Sequence, residues 1–485
     1  MLFRSSSFFF HQAAEIGLNP SQFLTYIIRT SIRARISDFK DAFKMPAMLK
    51  KLDAAIDHHQ QHKKEKIKIA VMLGGYSSER HISVESGRNV YEKLSSSEKY
   101  EPIPVFVTGN NTAHSLFSIP VNILLKDNAD DIREKIDHYK VHPLIHQIIE
   151  ECKSITTKYA SANNLAAPRL INYDDLKNLV DGVFIALHGR PGEDGQVQAE
   201  LDKRKMPYNG SGVSSSQTTI DKFITNEILM RNGLHAARHC IVTKDNWQQN
   251  KDHFVAELIK NFPFPFIAKP VDDGCSSAVK LIRNAEVFKA FCELIFRDSD
   301  ELDASALAVL KLKLKEEFPA KNRILIEDLI ARNADEKFLE VTGGMLTHYN
   351  AKGEMEYEVF EASEALSEGE VLSLEEKFLA GQGQNITPSR YDKDKTKNQQ
   401  ISNRVKVELE KAARLLNVEG YCRIDAFVRI KSENDVEVIF IEVNSLPGMT
   451  PATAIFHQAA INNYKPYEFI DKILVFGFER VKRKA

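Results

Sequence analysis

Two short apolar segments in the last quarter of the chain carry charged and amide side chains at alternate positions: Tyr421-Cys-Arg-Ile-Asp-Ala-Phe-Val428 and Val438-Ile-Phe-Ile-Glu-Val-Asn444. Side chains on a strand alternate between faces. Arg423 and Asp425 therefore share one face of the first segment, with Cys422, Ile424, Ala426 and Val428 on the other. In the second, Glu442 and Asn444 share a face, and Ile439, Ile441 and Val443 are expected opposite. Two carboxylates and an amide on otherwise apolar strands are costly to bury without partners. Hard divalent cations take such oxygens, and magnesium usually adds phosphate oxygens to one or two carboxylates. Arg423 beside them supplies positive charge for an anionic intermediate. The strands alone also allow an Arg–Asp ion pair on a solvated face; the run Leu446-Pro-Gly-Met-Thr450 after Asn444 tips the reading toward a cation site.

The elements that must position these residues are legible upstream. Ile67, Ile69, Val71 and Leu73 alternate as in a strand that ends at Gly74-Gly75. Val84, Gly87, Val90, Tyr91 and Leu94 then recur at helical spacing, and Ile103–Val107 reads as a second strand. A strand, glycine turn and helix predict an open α/β domain with its ligand site at the strand's C-terminal end. Val183–Leu187, Phe266–Lys269 and Ile324–Glu327 read as further strands. Residues 110–175 and 297–321 read as helix-prone insertions, and the acidic stretch Glu354–Glu370 as a loop. The expected division is a helical extension over 1–66, an α/β substrate domain over 67–205, a central unit over 206–285 and a C-terminal catalytic unit over 286–485.

Several segments together resemble the D-alanine–D-alanine ligase family of the ATP-grasp superfamily. Glu442-Val-Asn-Ser-Leu-Pro-Gly-Met-Thr450 is similar to its C-terminal signature. Gly74-Gly-Tyr-Ser-Ser-Glu-Arg80 resembles its N-terminal glycine motif, Ala186-Leu-His-Gly-Arg-Pro-Gly-Glu-Asp-Gly195 its second motif, and Tyr208-Asn-Gly-Ser-Gly-Val213 its domain junction. Asp221-Lys222 and Phe266-Ile-Ala-Lys-Pro270 match its two phosphate-binding lysines. The resemblance runs from about Ile67 to about residue 475 and implies an α/β (α+β overall) ATP-grasp architecture, with N-terminal, central and C-terminal domains behind the helical extension. It implies an ADP-forming ligase that joins two D-alanines through a D-alanyl phosphate for peptidoglycan precursors. The implied cofactors are ATP and two Mg2+ or Mn2+ ions.

Residue by residue, the resemblance assigns Glu79 to the amino group of the first D-alanine, and His188 to a place near that substrate. Lys222, Lys269 and Glu327 are assigned to the nucleotide, and Asp425, Glu442 and Asn444 to the metal ions. Arg423, with backbone N–H groups near Gly448, would stabilise the oxyanion, and Thr453 would meet the second substrate's carboxylate. Locally, Glu79 reads equally well as an acid in a helix's first turn. The phosphate loop departs from the family: Lys269-Pro-Val-Asp-Asp-Gly274 leads to Cys275 and Ser276, of which Ser276 is taken as the functional hydroxyl. The lid departs too, with Phe360-Glu-Ala-Ser-Glu364 where relatives carry Tyr-x-Ala-Lys-Tyr. That substitution keeps a different acceptor, such as D-lactate or D-serine, as the alternative reading; a non-catalytic nucleotide-binding scaffold is the third, disfavoured by Arg423, Asp425, Glu442 and Asn444 occurring together.

Composition closes off other classes. A net charge of −2 and the lack of an aromatic–basic motif argue against nucleic-acid binding. No apolar run reaches the roughly 18 residues of a membrane span. Five scattered cysteines without a C-x-x-C pair fit a reducing cytoplasm. The family implies a homodimer. Residues 1–40, with Phe8-Phe9-Phe10, several arginines and few acids, read as a helical extension rather than a transit peptide, and Asp57–His62 as a solvated helix face rather than a metal tract.

Overall fold

The computed structural model describes residues 8–36, 44–61, 65–161, 165–274, 278–312, 318–331, 336–366 and 385–484. Among them no helix is long and apolar enough to cross a membrane.

The extension is helical, in three pieces: α1 (Phe8–Glu15), α2 (Pro20–Arg35) and α3 (Met45–Gln61). Asn19 caps α2 by accepting from the Gln22 N–H while Gln22 returns the bond to the Asn19 N–H, the reciprocal capping box that satisfies two otherwise orphaned donors. Ala13, Leu18, Ile56, Tyr159 and Ala160 form a small core of their own, which ties the extension to the helix Lys153–Tyr159. His58 and His59 lie in α3, as the helix reading expects.

The first sheet has the order β4-β3-β2-β1-β5, with β1 (Ile67–Gly74), β2 (Tyr100–Gly109), β3 (His114–Ser118), β4 (Arg169–Ile171) and β5 (Gly182–Ile185). β1 runs parallel to β2 and to β5. Helix α4 (Arg80–Ser95) crosses between β1 and β2 and buries Val84, Gly87, Val90, Tyr91 and Leu94. Gly75 turns the chain at φ +91°, and a Cβ there would sit 2.9 Å from the Arg190 carbonyl oxygen; only glycine meets both demands. The stretch 110–175 is more than a helical insertion, because β3 and β4 pair antiparallel onto the edge of this sheet.

The second sheet contains β7 (His239–Thr243), β8 (Phe266–Pro270), β9 (Lys280–Ile282) and β10 (Arg323–Asp328) in the order β7-β10-β8-β9, after a short β6 (His235–Ala236). β10 pairs with both β7 and β8, so a division at 285/286 would cut this sheet. The central unit runs through Asp328, with helix Ala304–Leu310 lying within it. The third sheet holds β11 (Lys337–Tyr349), β12 (Met355–Val359), β13 (Ser363–Ala365), β14 (Asn385–Ile386), β15 (Tyr421–Ser432) and β16 (Asp435–Asn444). β6 adds to its edge beside β16. The stretch read as an acidic loop, 354–370, instead supplies β12 and β13, both paired with β11. Glu364 on β13 meets Arg390, and Glu361, between the two strands, accepts from Ser402 and Lys406.

One register shift corrects the alternation expected in the last strand. Asp425 pairs with Glu442 but Ala426 pairs with Phe440, which leaves Ile441 as a bulge. The extra residue flips the faces on either side of it. Val438 and Phe440 therefore join Val443 in the core beneath β15, and Ile439 points the other way. Glu442 and Asn444 keep the face that sequence assigns them.

Candidate active site

The bulge delivers the chemistry. Beyond it, Asp425 stands opposite Glu442, and Arg423 opposite Asn444. Like charges directly across a sheet are unfavourable, so cations are needed nearby. Arg423 grips Asp425 with two bonds of 3.1 Å, and the Thr342 hydroxyl on β11 donates to Asp425 Oδ1 at 2.6 Å. The Asn444 amide nitrogen lies 3.4 Å from Oδ2. Lys222, buried at the start of the helix Lys222–Arg231, places its Nζ 3.6 Å from Glu442 Oε2 and donates to the Asp273 carbonyl. Arg423, expected to point at a reacting oxyanion, thus spends its fork on Asp425.

The second lysine is held separately. Lys269 on β8 and Glu327 on β10 are both buried and meet at 2.6 Å, with the Asn226 amide 3.3 Å from the other Glu327 oxygen. Asn226 stands one turn after Lys222 on the same helix, so that one helix reaches both Glu442 and Glu327.

Glu79 ends the loop after β1 and precedes α4, whose first turn it leaves uncapped by its side chain. Its carboxylate instead turns inward. A Cβ on Gly274 would lie 2.5 Å from Glu79 Oε2, so that loop can approach the carboxylate only because it has no side chain there. Glu79, Glu193, Lys222, Gly274, Glu442 and Asn444 enclose a cavity of about 30 Å³, about the share of one water molecule. A wider cleft of about 640 Å³, lined by Tyr76, Arg80, Arg133 and Lys321, opens outside it. Asp273 borders both spaces, so the 271–274 loop partitions them. Arg190 and Lys321 clamp it: Asp272 pairs with both, and Asp273 meets Lys321 at 2.7 Å. Burial disfavours the Asp272 charge, but Lys321 and Arg190 outweigh it and hold the carboxyl below its ordinary range. Cys275 and Ser276 lie outside the described residues.

Glu193 was quoted within the second motif without a role. It is half-buried, accepting from the Gly189 N–H at 2.8 Å and the Leu446 N–H at 3.1 Å. Burial first, then the neighbouring Glu79 and Glu442 carboxylates, raise its pKa far above the carboxylate range. A carboxyl joining two motifs 250 residues apart leaves no local trace beyond the motif itself.

His188 has both ring nitrogens occupied by the protein. Nδ1 lies 2.9 Å from the Leu446 carbonyl, which can only accept, so Nδ1 carries the proton. Nε2 then accepts from the Ser86 hydroxyl at 2.8 Å, and Ser86 Oγ in turn accepts from the Met449 N–H at 3.0 Å. His188 and Ser86 thus fix the 446–449 loop that contains Gly448. The Thr453 hydroxyl, fully buried, donates to the Thr450 carbonyl at 2.8 Å. Burial drives the His188 pKa down to about 4. A histidine neutral in the folded state and ordinary in the unfolded state adds stability that is complete above about pH 6.5 and is lost as the pH falls toward 4. The native protein is expected to lose about 3 kcal/mol of stability across that window from this group. A urea titration at pH 7, 6, 5 and 4 should show the slope flattened in His188→Gln; parallel profiles would refute the assignment.

Among the described residues no cluster of three or more histidine, cysteine or acidic side chains could hold a metal by itself. The oxygens of Asp425, Glu442 and Asn444 nevertheless fit magnesium or manganese in the partial way such ions are bound, with two carboxylates and the remaining positions left for phosphates.

Comparison with known proteins completes the picture. The family model described as the D-ala D-ala ligase N-terminus matches residues 68–211, and that of the C-terminus matches 228–302 and 303–475. The D-alanine–D-alanine ligase of Caldicellulosiruptor bescii is 25% identical over 419 residues, 86% of this chain and 97% of its own. That of Leptospira interrogans serogroup Icterohaemorrhagiae serovar Lai is 27% identical over 417 residues, covering 85% and 99%. Among solved structures, the VanG D-Ala:D-Ser ligase from Enterococcus faecalis aligns with a TM-score of 0.55 at 19% identity, over 85% of this chain and 99% of that one. The D-alanine-D-alanine ligase from Coxiella burnetii gives 0.54 at 17% identity, over 87% and 96%. These structures share the ATP-grasp fold.

Proposed function

The chain belongs to the D-alanine–D-alanine ligase family, and from that premise we propose that it joins two D-alanines at the expense of ATP, in the cytoplasm, to supply peptidoglycan precursors. The observation that carries the reading is the facing pair Asp425 and Glu442, with Lys222 beside Glu442. A carboxylate is a poor electrophile, because attack adds charge to an anion and the leaving group is poor. Transfer of the γ-phosphoryl group to the first D-alanine gives an acyl phosphate and ADP. The amine of the second D-alanine then attacks that carbonyl, and phosphate leaves.

In this proposal Lys222 and Lys269 hold phosphate charge, with Glu327 fixing Lys269. Asp425, Glu442 and Asn444 would hold the magnesium or manganese ions, which neutralise phosphoryl charge when bound. Glu79 binds the ammonium group of the first substrate, and Glu193 and His188 hold the walls around it. Arg423 orients Asp425, and joins the N–H groups near Gly448 in stabilising the oxyanion once Asp425 turns to a cation. Ser276 closes the phosphate loop and Thr453 the acceptor side. With only about 30 Å³ inside, substrates enter when the 271–274 loop lifts, and its return excludes water from the acyl phosphate.

Glu79→Gln is expected to raise the KM for the first D-alanine by roughly a hundredfold while leaving the KM for ATP within about threefold, because it removes a charge-assisted bond to one substrate only. Steady-state kinetics with each substrate varied in turn would check it, and equal KM changes would reduce Glu79 to a helix-terminal acid.

The proposal is tested by ADP release with magnesium-ATP and D-alanine, with mass spectrometry of the product. D-alanyl-D-alanine supports it. ADP formed only when D-lactate or D-serine is added would favour the alternative acceptor. The feature behind that alternative is Glu364, which is buried against Arg390 on β13 at a position where relatives place a tyrosine.

A further inference from the structure

The family models begin at residue 68, so the three-helix extension lies outside the matched catalytic unit. Its surface differs from the rest of the chain. Residues 1–66 hold eleven lysines and arginines against six acids, whereas the remaining residues carry a net charge of −7. The whole-chain value of −2 averages the two and hides the contrast.

The extension also exposes large apolar groups. Phe8 and Phe9 on α1 are 71% and 67% exposed, and Leu24, Ile27 and Ile28 on α2 are 37%, 43% and 52% exposed. The inward side of α2 is already used: Phe23 packs edge-on against Phe10, Tyr26 against Tyr159, and Arg29 pairs with Asp53. Leu24 and Ile28 fall one turn apart on the opposite side. Arg35, exposed in the last turn, stands two turns after Ile28 on that same side, whereas the exposed Arg33 follows Tyr26 and Arg29 on the other. An apolar stripe that ends in a cation, on a helix too short and polar to span a bilayer, is the pattern of a helix that lies in a membrane interface.

We infer that the extension docks this ligase onto an anionic lipid surface, with Leu24, Ile27 and Ile28 inserted between headgroups and Arg35 on the phosphates. Two features select lipid over a second copy of the chain. The module is basic, so two copies face to face would repel, whereas an anionic bilayer complements it. Apolar insertion and basic attraction are each weak alone, and stable attachment needs the two signals together, both of which this helix provides. The inference concerns the extension and does not depend on the acceptor used by the catalytic unit.

The test is flotation of the full-length protein with vesicles of phosphatidylcholine alone and of equimolar phosphatidylcholine and phosphatidylglycerol, at low and high salt, with chain mass followed by light scattering. Binding to the anionic vesicles only, weakened at least tenfold by 0.5 M salt, by Ile28→Glu and by Arg35→Glu, is expected. ADP release in solution should be unchanged in these variants, since none touches the cleft. Equal binding to both vesicles, or none to either, overturns the inference. So does an Ile28→Glu protein that loses an oligomer while the native one ignores lipid, which would make this face a contact between copies.

Discussion

Glu442→Ala is expected to lower kcat by about a thousandfold or more while the protein melts within a few degrees of the native one. Two considerations separate the effects. Glu442 is only partly buried, and its buried ionic neighbour Lys222, 3.6 Å away, keeps its bond to the Asp273 carbonyl when Glu442 is lost. On the chemical side, it faces Asp425 across the two strands, and magnesium commonly uses one or two carboxylates. Nucleotide binding without a divalent ion should persist or tighten in the variant, since a negative charge facing the phosphates has gone. Metal-dependent ADP release should vanish. Asp425 is the harder partner to test. Its alanine variant would strip Arg423 of a bidentate partner in a buried position, at about 3–5 kcal/mol. Asp425→Asn keeps the Thr342 contact and is the cleaner probe. A Glu442→Ala enzyme within tenfold of native turnover at saturating magnesium would remove the metal assignment.

Strand alternation is a strict rule, so spacing alone puts Arg423 with Asp425 on one face of their strand and Glu442 with Asn444 on one face of theirs; that the two strands pair is what the structure adds. The rule fails at Ile439, because a bulge at Ile441 is invisible to periodicity. The bulge is what allows Val438 and Phe440 to pack in the core while Glu442 still faces the cleft. Other misses have the same origin. β10 reads as a strand, but nothing local says that it returns to β8 and β7 across more than fifty residues. The acids of 354–366 look like a solvated loop until Arg390, Ser402 and Lys406 arrive from later in the chain to meet them. Nothing local shows that the His188 ring ties Ser86 to Leu446. In each case the element was visible and the partner was not, because the partner is distant in sequence. The family resemblance filled that gap for the motifs it covers and was silent about the Asp272–Arg190 and Asp273–Lys321 clamps, where this chain has its own sequence.

Lys269→Met should unfold the protein more readily and abolish ATP-dependent turnover, and pairing it with Glu327→Gln should undo the first effect without the second. Lys269 and Glu327 form a buried pair at 2.6 Å. Removing the ammonium group alone leaves a desolvated carboxylate whose remaining contact includes the Asn226 amide, a loss of about 3–5 kcal/mol. Neutralising both partners removes that penalty, since replacing a buried ion pair by neutral groups of similar size is often close to neutral. Glutamine at 327 can still accept from Asn226. A double variant that regains most of the native melting temperature therefore separates folding from chemistry. If Lys269 holds a phosphate, kcat/KM for ATP stays at least a hundredfold below native in that variant, because methionine offers no charge to a phosphoryl group. If the pair only braces β8 against β10, activity returns together with stability. The measurement is a thermal melt and an ATP-varied ADP-release assay on the native protein, the two single variants and the double, read as a cycle whose coupling energy is large for stability and small for turnover.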